Sequence, residues 1–252
     1  MPPEGMKKVT FCVCTYNSAK TLERCLSSIR SLGRGRVLVV DHHSEDDTVK
    51  IAKKFGVEIF SEMKGLGFAR QLCFELTNSE YIVFVDGDVE IVREDFFDIA
   101  IRTLRKKEYG AVVGLAVSHR FQYGLPASLL VLRKSDFQGK IVPDYIDARE
   151  TFFIQRRLNK QKLRTFYVYD SMIHRSQYRK FKPEWEGANT RLLPDQNHKE
   201  LIFALKVIIL LSLNSRNVKN VLYIPIFYLR FLHGYAKPAA WLRIDRSLRG
   251  KL

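Results

Sequence analysis

The chain has 252 residues, 46% of them hydrophobic and 27% charged, with 14 glycines and 8 prolines. That length buries a substantial core without staples, and the composition excludes a disordered, collagen-like or low-complexity chain. The net charge of +15 is lopsided: residues 1–150 carry 22 basic and 21 acidic side chains, residues 151–252 carry 20 and 6. A basic second part calls for an anionic partner: nucleic acid, a phosphate-bearing substrate or an anionic membrane face. No window of eighteen uncharged apolar residues exists, so no transmembrane helix is expected. Met1 to Lys8 lead into a strand pattern without the apolar stretch of a signal peptide, so a cytoplasmic chain is expected.

Val9 to Thr15 is a β-rich run in which Cys12 and Cys14 alternate with Phe11 and Val13. Asn17 or Ser18 can cap a helix with apolar positions Leu22, Cys25, Leu26, Ile29 and Leu32, ended by Gly33 and Gly35. Arg36 to Val40 reads as a strand covered on both faces, and a polar stretch then leads into a helix through Phe55. Val57 to Phe60 is a short strand, Gly65 and Gly67 open a helix to about Asn78, and Tyr81 to Val85 is a fourth strand. A helix from about Glu94 to Lys107 precedes another strand, Ala111 to Val117. The alternation predicts an α/β fold: a mostly parallel, Rossmann-like sheet flanked by helices. The four cysteines, Cys12, Cys14, Cys25 and Cys73, form no Cys-x-x-Cys pair and read as small buried thiols.

Three polar clusters follow strands: Thr15-Tyr16-Asn17, Asp41-His42-His43-Ser44 and Asp86-Gly87-Asp88. In a parallel sheet they converge on one edge, where ligands of such sheets bind. Two carboxylates one residue apart can share Mg²⁺ or Mn²⁺, and Gly87 lets a phosphate approach closely. Such a cation acts as a Lewis acid on a departing diphosphate. Asp-Gly-Asp is also an ordinary turn sequence.

Val9–Asn17, Val37–Thr48, Gly65–Arg70 and Glu80–Asp88 occur in the order and spacing of the family 2 glycosyltransferases, which the chain resembles over residues 8–117 and more faintly to Arg175. The resemblance implies a GT-A fold and inverting transfer from a nucleotide-activated sugar, UDP- or GDP-linked. It gives Thr15, Tyr16, Asn17 and Asp41 to the nucleoside, and Asp86 and Asp88 to the metal, with Asp88 as the direct ligand. Where the family often has a second carboxylate after Asp41, this chain has His42. Lys64 and Arg70 can neutralise phosphate charge, or lie solvated on the surface.

Ser118 to Asp144, with Gly124, Pro126, Gly139 and Pro143, reads as irregular, and Arg149 to Leu163 as helical. The resemblance makes Glu150, six residues before Arg156, the base for an acceptor hydroxyl, with Asp147 as alternate. A carboxylate there also suits a helix start. Thr165 to His174 resembles a late strand of the family, ending in a histidine that completes the metal site. Residues 1–198 are expected to form the GT-A-like domain and 199–252 a basic, apolar, helical C-terminal extension. Leu201 to Leu213 is nearly all apolar but too short to span a bilayer, and Val221 to Leu232 is a second such run, with Arg216 and Lys219 between. These segments, with Trp185 and Trp241, suit either interfacial attachment to an anionic membrane or packing on the core.

The sequence therefore predicts a metal-dependent transferase, peripheral at the cytosolic membrane face, acting on a lipid-linked or glycan acceptor. Alternatives are a nucleotidyltransferase, which lacks a glycine- and lysine-rich signature after the first strand, and a non-catalytic nucleotide-sugar binder. Nucleic acid is a poor third partner, because no recognisable motif accompanies the basic half.

Overall fold

A computed structural model of the chain describes residues 8–33, 35–117, 119, 124–146, 148–175, 182–194, 198–214 and 218–242. The chain forms two compact units: Met1–Ile146 with Glu150–Gln177, and Asp147–Arg149 with Tyr178–Leu252.

The first unit opens with four parallel strands, β1 (Val9–Thr15), β2 (Arg36–Asp41), β3 (Glu58–Ser61) and β4 (Tyr81–Asp86). Helices α1 (Ala19–Ser31), α2 (Thr48–Lys54) and α3 (Leu66–Leu76) make the crossovers. As the spacing predicted, α1 buries Leu22, Cys25, Leu26 and Ile29. The period-two alternation of β1 feeds two apolar layers. Phe11 and Val13 join Phe97 and Val83 on one face, and Cys12 joins Phe84 and Leu130 on the other. Phe11 stands edge-on to Phe97 with ring centres 5.0 Å apart, an arrangement favoured by the ring quadrupoles.

The sheet continues through β5 (Val89–Ile91), β6 (Tyr109–Ala116), β7 (Leu129–Arg133) and β8 (Arg164–His174), with α4 (Phe96–Leu104) and α5 (Thr151–Lys160) between them. The full order is β3-β2-β1-β4-β7-β6-β8-β5. Strand β7 runs antiparallel to both neighbours, and β5 antiparallel to β8. This corrects the reading of residues 118–144 as irregular. Leu129, Leu130, Val131 and Leu132 are at most 1% exposed. A strand covered on both faces shows no alternation, so its apolar run carries no strand period.

The cysteines behave as small buried groups. Cys12, Cys25 and Cys73 are buried, Cys14 is half-buried, and none is in a disulfide.

The second unit contains α6 (Pro183–Arg191), α7 (His198–Asn214), α8 (Val218–Leu222) and α9 (Ile224–Ala236). Residue 198, where a division was expected, thus falls at the start of α7 inside this unit. Helices α6 and α9 touch backbone to backbone through two glycines. A Cβ on Gly187 would lie 2.0 Å from the Phe231 carbonyl oxygen, and one on Gly234 1.9 Å from that of Glu184. Arg230 Nε donates to Glu184 across the same contact at 2.5 Å. Ala204, Ile208 and Phe231 make a small core. No helix among the described residues is long and apolar enough to cross a membrane. Arg216 lies outside the described residues.

Candidate active site

The parallel strands end level: Thr15 pairs with Asp41, Cys14 with Asp86, and Asp41 with Ser61. The three polar clusters therefore meet along one sheet edge, as expected. Asp41 is 1% exposed and accepts hydrogen bonds from Thr15 Oγ1 at 2.9 Å, the Ser44 N–H at 2.8 Å and Ser44 Oγ at 2.6 Å. Asn17 has a φ of 48°, a left-handed conformation that asparagine tolerates better than most residues. Its N–H donates to Ser44 Oγ and its Oδ1 accepts the Glu45 N–H, both at 2.9 Å. Tyr16 is exposed, edge-on to the His42 ring at 5.4 Å. These contacts make a fixed polar corner with an open aromatic face, suited to a flat heterocycle and a ribose.

Glu62 is a member of this corner that the sequence reading missed. It is 4% exposed, with Oε1 2.7 Å from His42 Nδ1. Its Oε2 accepts the Lys64 and Gly65 N–H groups at 2.6 and 2.8 Å. Glu62 thus fixes the turn where Gly65, at a φ of 103°, opens α3. A carboxylate two and three residues before the amides of a glycine-opened helix was the available signal. Lys64 is exposed, its ammonium 4.6 Å from the centre of the Phe68 ring.

Arg70 is not a solvated surface charge. It projects from α3, is 1% exposed, and donates from Nη2 to Asp86 Oδ1 at 2.6 Å. Its Nε lies 3.6 Å from Glu150 Oε1, and its guanidinium 5.0 Å from the centre of the Phe84 ring. Among the described residues, Nε and Nη1 find no hydrogen-bond partner. Burial opposes the charge, but Cys14, Asp86 and Glu150 together outweigh it and raise the arginine pKa further. Glu150 itself is 7% exposed. Burial pushes its carboxyl above the ordinary glutamate range, with Arg70 pulling the other way. One buried cation therefore stands between a carboxylate on β4 and another at the start of α5, from stretches far apart in sequence.

Asp88 and His174 meet because β5 pairs with β8: Val89 lies opposite His174 in the register. His174 Nδ1 is 3.7 Å from Asp88 Oδ1. That contact raises the imidazole pKa above its ordinary value against the effect of burial. Gly87 lies at a close approach, where a Cβ would come within 3.2 Å of Thr15 Cγ2 and 3.3 Å of Ser18 Oγ. Asp147 lies outside the described residues. Among the described residues no three His, Cys, Asp or Glu side chains form a ready metal cage. The hard oxygens of Asp86 and Asp88 suit Mn²⁺ or Mg²⁺, which commonly take only one or two carboxylates and fill other positions with phosphate oxygens, and the His174 imidazole stands beside Asp88.

Comparison with known proteins matches residues 10–181 to the model of glycosyl transferase family 2. An uncharacterized glycosyltransferase of Rickettsia prowazekii is 31% identical over 91 residues, covering 35% of this chain and 30% of that protein. The SPbeta prophage-derived glycosyltransferase SunS of Bacillus subtilis is 36% identical over 84 residues, covering 32% and 20%. The matched stretches thus span less than a third of either relative. The mannosyltransferase PcManGT of Pyrobaculum calidifontis, solved with GDP-Man and Mn²⁺, superposes with a TM-score of 0.61 at 16% identity, covering 94% of this chain and 76% of that one. Glucosyl-3-phosphoglycerate synthase of Mycobacterium tuberculosis, solved with Mn²⁺, UDP and phosphoglyceric acid, gives 0.56 at 18% identity, covering 68% and 72%. These structural likenesses show the GT-A fold.

Proposed function

The chain belongs to glycosyl transferase family 2, and we propose that it moves a sugar, with inversion, from a UDP- or GDP-linked donor to a lipid-linked or glycan acceptor at the cytosolic membrane face. The observation that carries the reading is that Arg70 joins Asp86 to Glu150 and His174 faces Asp88, with Asp86 ending a strand level with the Thr15–Asp41 corner. That corner holds the nucleoside, with Tyr16 against the base and the hydrogen-bonded Asp41 at the ribose. Asp86, Asp88 and His174 would hold Mn²⁺ or Mg²⁺, which when bound supplies Lewis-acid stabilisation to the leaving diphosphate. Arg70 keeps the Asp86 carboxylate oriented by its charge-assisted hydrogen bond. Glu150 takes the proton of the acceptor hydroxyl as the new bond forms. A carboxylate with a raised pKa is the better base for that proton.

The membrane part rests on the second unit. Ile202, Leu222 and Leu229 are 66%, 74% and 66% exposed. Lys206 lies on α7 with Ile202. Exposed apolar side chains beside cations suit an interface with anionic headgroups.

Calorimetric titration with UDP and GDP, with and without Mn²⁺, tests the donor reading. One nucleotide binds in a metal-dependent way, and Asp88→Ala removes that binding while leaving the fold intact. Equal binding by the variant rejects the metal role. Failure of the protein to bind anionic vesicles at low salt rejects the membrane part.

A further inference from the structure

The nucleoside corner contains one ring whose two nitrogens meet different surroundings. His42 Nδ1 lies 2.7 Å from Glu62 Oε1. The Glu62 side chain is 1% exposed and that of His42 41%. The two nitrogens of an imidazole point almost oppositely across the ring. With Nδ1 turned to a buried carboxylate, Nε2 faces outward, on a ring set edge-on to the exposed Tyr16. The His42 backbone is pinned as well, its N–H donating to the Thr15 carbonyl oxygen at 2.9 Å. Nε2 makes no hydrogen bond among the described residues. The neighbouring oxygens are already engaged: Thr15 Oγ1 and Ser44 Oγ donate to Asp41, and Asn17 Oδ1 accepts the Glu45 N–H.

Glu62 also decides which nitrogen carries the proton. Its Oε2 accepts the Lys64 and Gly65 N–H groups, which can only donate. An ionised carboxylate only accepts, so Nδ1 must supply the hydrogen at Oε1. In a neutral imidazole the other nitrogen then carries the lone pair. We propose that Glu62 is a positioning residue that holds His42 in this tautomer, so that Nε2 accepts a hydrogen bond from a ring N–H of the donor's base. Uracil and guanine present such an N–H, at N3 and N1. Cytosine and adenine carry a lone pair at the same positions, which would face the lone pair of Nε2. The corner thereby selects UDP over CDP and GDP over ADP. This selectivity deepens the donor reading and rests on it.

In Glu62→Gln the single carbonyl oxygen must serve the two backbone N–H groups, which turns the amide N–H₂ toward Nδ1. Nδ1 must then accept, and the ring proton moves to Nε2, which becomes a donor. Calorimetric titrations of the full chain with Mn²⁺ at about pH 8, where imidazole is neutral, compare UDP with CDP and GDP with ADP. Wild type binds UDP or GDP at least about tenfold more tightly than its counterpart, the cost of setting two acceptors face to face. That ratio falls at least about tenfold in Glu62→Gln. A loosened turn at Gly65 would weaken both nucleotides alike and leave the ratio unmoved. His42→Phe keeps an aromatic ring beside Tyr16 without either nitrogen. It lowers the ratio by the same factor, and carries the test alone where Glu62→Gln does not fold. Nitrogen-15 shifts of the His42 ring, identified by the signals lost in His42→Phe, read the tautomer without any nucleotide. They place the proton on Nδ1 in wild type and on Nε2 in Glu62→Gln. Preference for CDP or ADP, a ratio that survives His42→Phe, or a wild-type proton on Nε2 overturns the proposal. If wild type binds UDP or GDP and the ratio ignores both variants, the base role falls and the donor reading stands. If wild type binds no nucleotide at all, the donor reading falls and takes the base role with it.

Discussion

Replacing Arg70 with methionine removes the guanidinium between Asp86 and Glu150 while keeping most of the aliphatic volume of the side chain. The Asp86 and Glu150 side chains are 36% and 9% exposed. Taking one partner from a fully buried ion pair costs about 3–5 kcal/mol, because the other charge is left without compensation. Asp86 keeps part of its water, so the expected loss is about 2–3 kcal/mol. The sign of the pH dependence separates this electrostatic loss from a packing loss. Burial already raises the Glu150 carboxyl above its ordinary range, and Arg70 is the charge that pulls it back. Without Arg70 the folded-state pKa rises further, so the folded variant holds a proton that the unfolded chain has released. Stability then grows as pH falls through that raised pKa, since the neutral carboxyl needs no cation. Urea unfolding of Arg70→Met should therefore show the full deficit at mildly alkaline pH and a clearly smaller one at mildly acidic pH. With Glu150 as the proposed base, the acid limb of the transfer rate should move to higher pH in the variant, because the carboxyl stays protonated over a wider range. A deficit equal at both pH values, or below about 1 kcal/mol at alkaline pH, refutes the placing of Arg70 as the shared counter-ion.

Three other substitutions probe separate parts of the molecule. Asp41→Asn turns an amide N–H₂ toward the Thr15 and Ser44 donors, costing about 1–3 kcal/mol in the corner and weakening nucleotide binding about tenfold or more by calorimetry. Gly87→Ala forces Thr15 and Ser18 to yield by a few tenths of an ångström. It should lower nucleotide affinity severalfold with a thermal-stability loss within the about 1–3 kcal/mol of ordinary overpacking. Gly234→Ala sets a Cβ 1.9 Å from a backbone oxygen of α6, which has no flexible end to move aside. Its loss should exceed about 3 kcal/mol and appear as faster limited proteolysis within α6 and α9, whereas wild-type resistance would contradict the backbone contact.

What could be read from the residues follows from how far each contact reaches along the chain. The α1 stripe and the β1 alternation are local periods, and both elements formed where their patterns placed them. Asp41 and Asp86 were legible because each directly follows an apolar strand, and the topology of a parallel sheet then brings such positions together. Strand β7 was not legible, because both of its faces are buried and that erases the alternation. Strand β5 has three residues and shows itself only by pairing with β8. The electrostatics of the site lie further still from local pattern. Residue 70 in a glycine-opened helix reads equally well as a surface cation, and nothing near it announces Glu150, eighty positions later. Glu62 likewise reads as a strand-end charge until its oxygens are seen on His42 and on two amides. The candidate nucleotide and metal residues stand at strand ends, where the fold class predicts them. Residues that set the charge state of those groups come from other elements and are specified by tertiary distance. The buried charges at Arg70 and Glu150 cost desolvation and are stabilised through each other and Asp86, as that at Glu62 is through His42 and two backbone amides. That interdependence makes the Arg70 variant, rather than a change at Asp86 or Asp88, the sharper test of how this site is built.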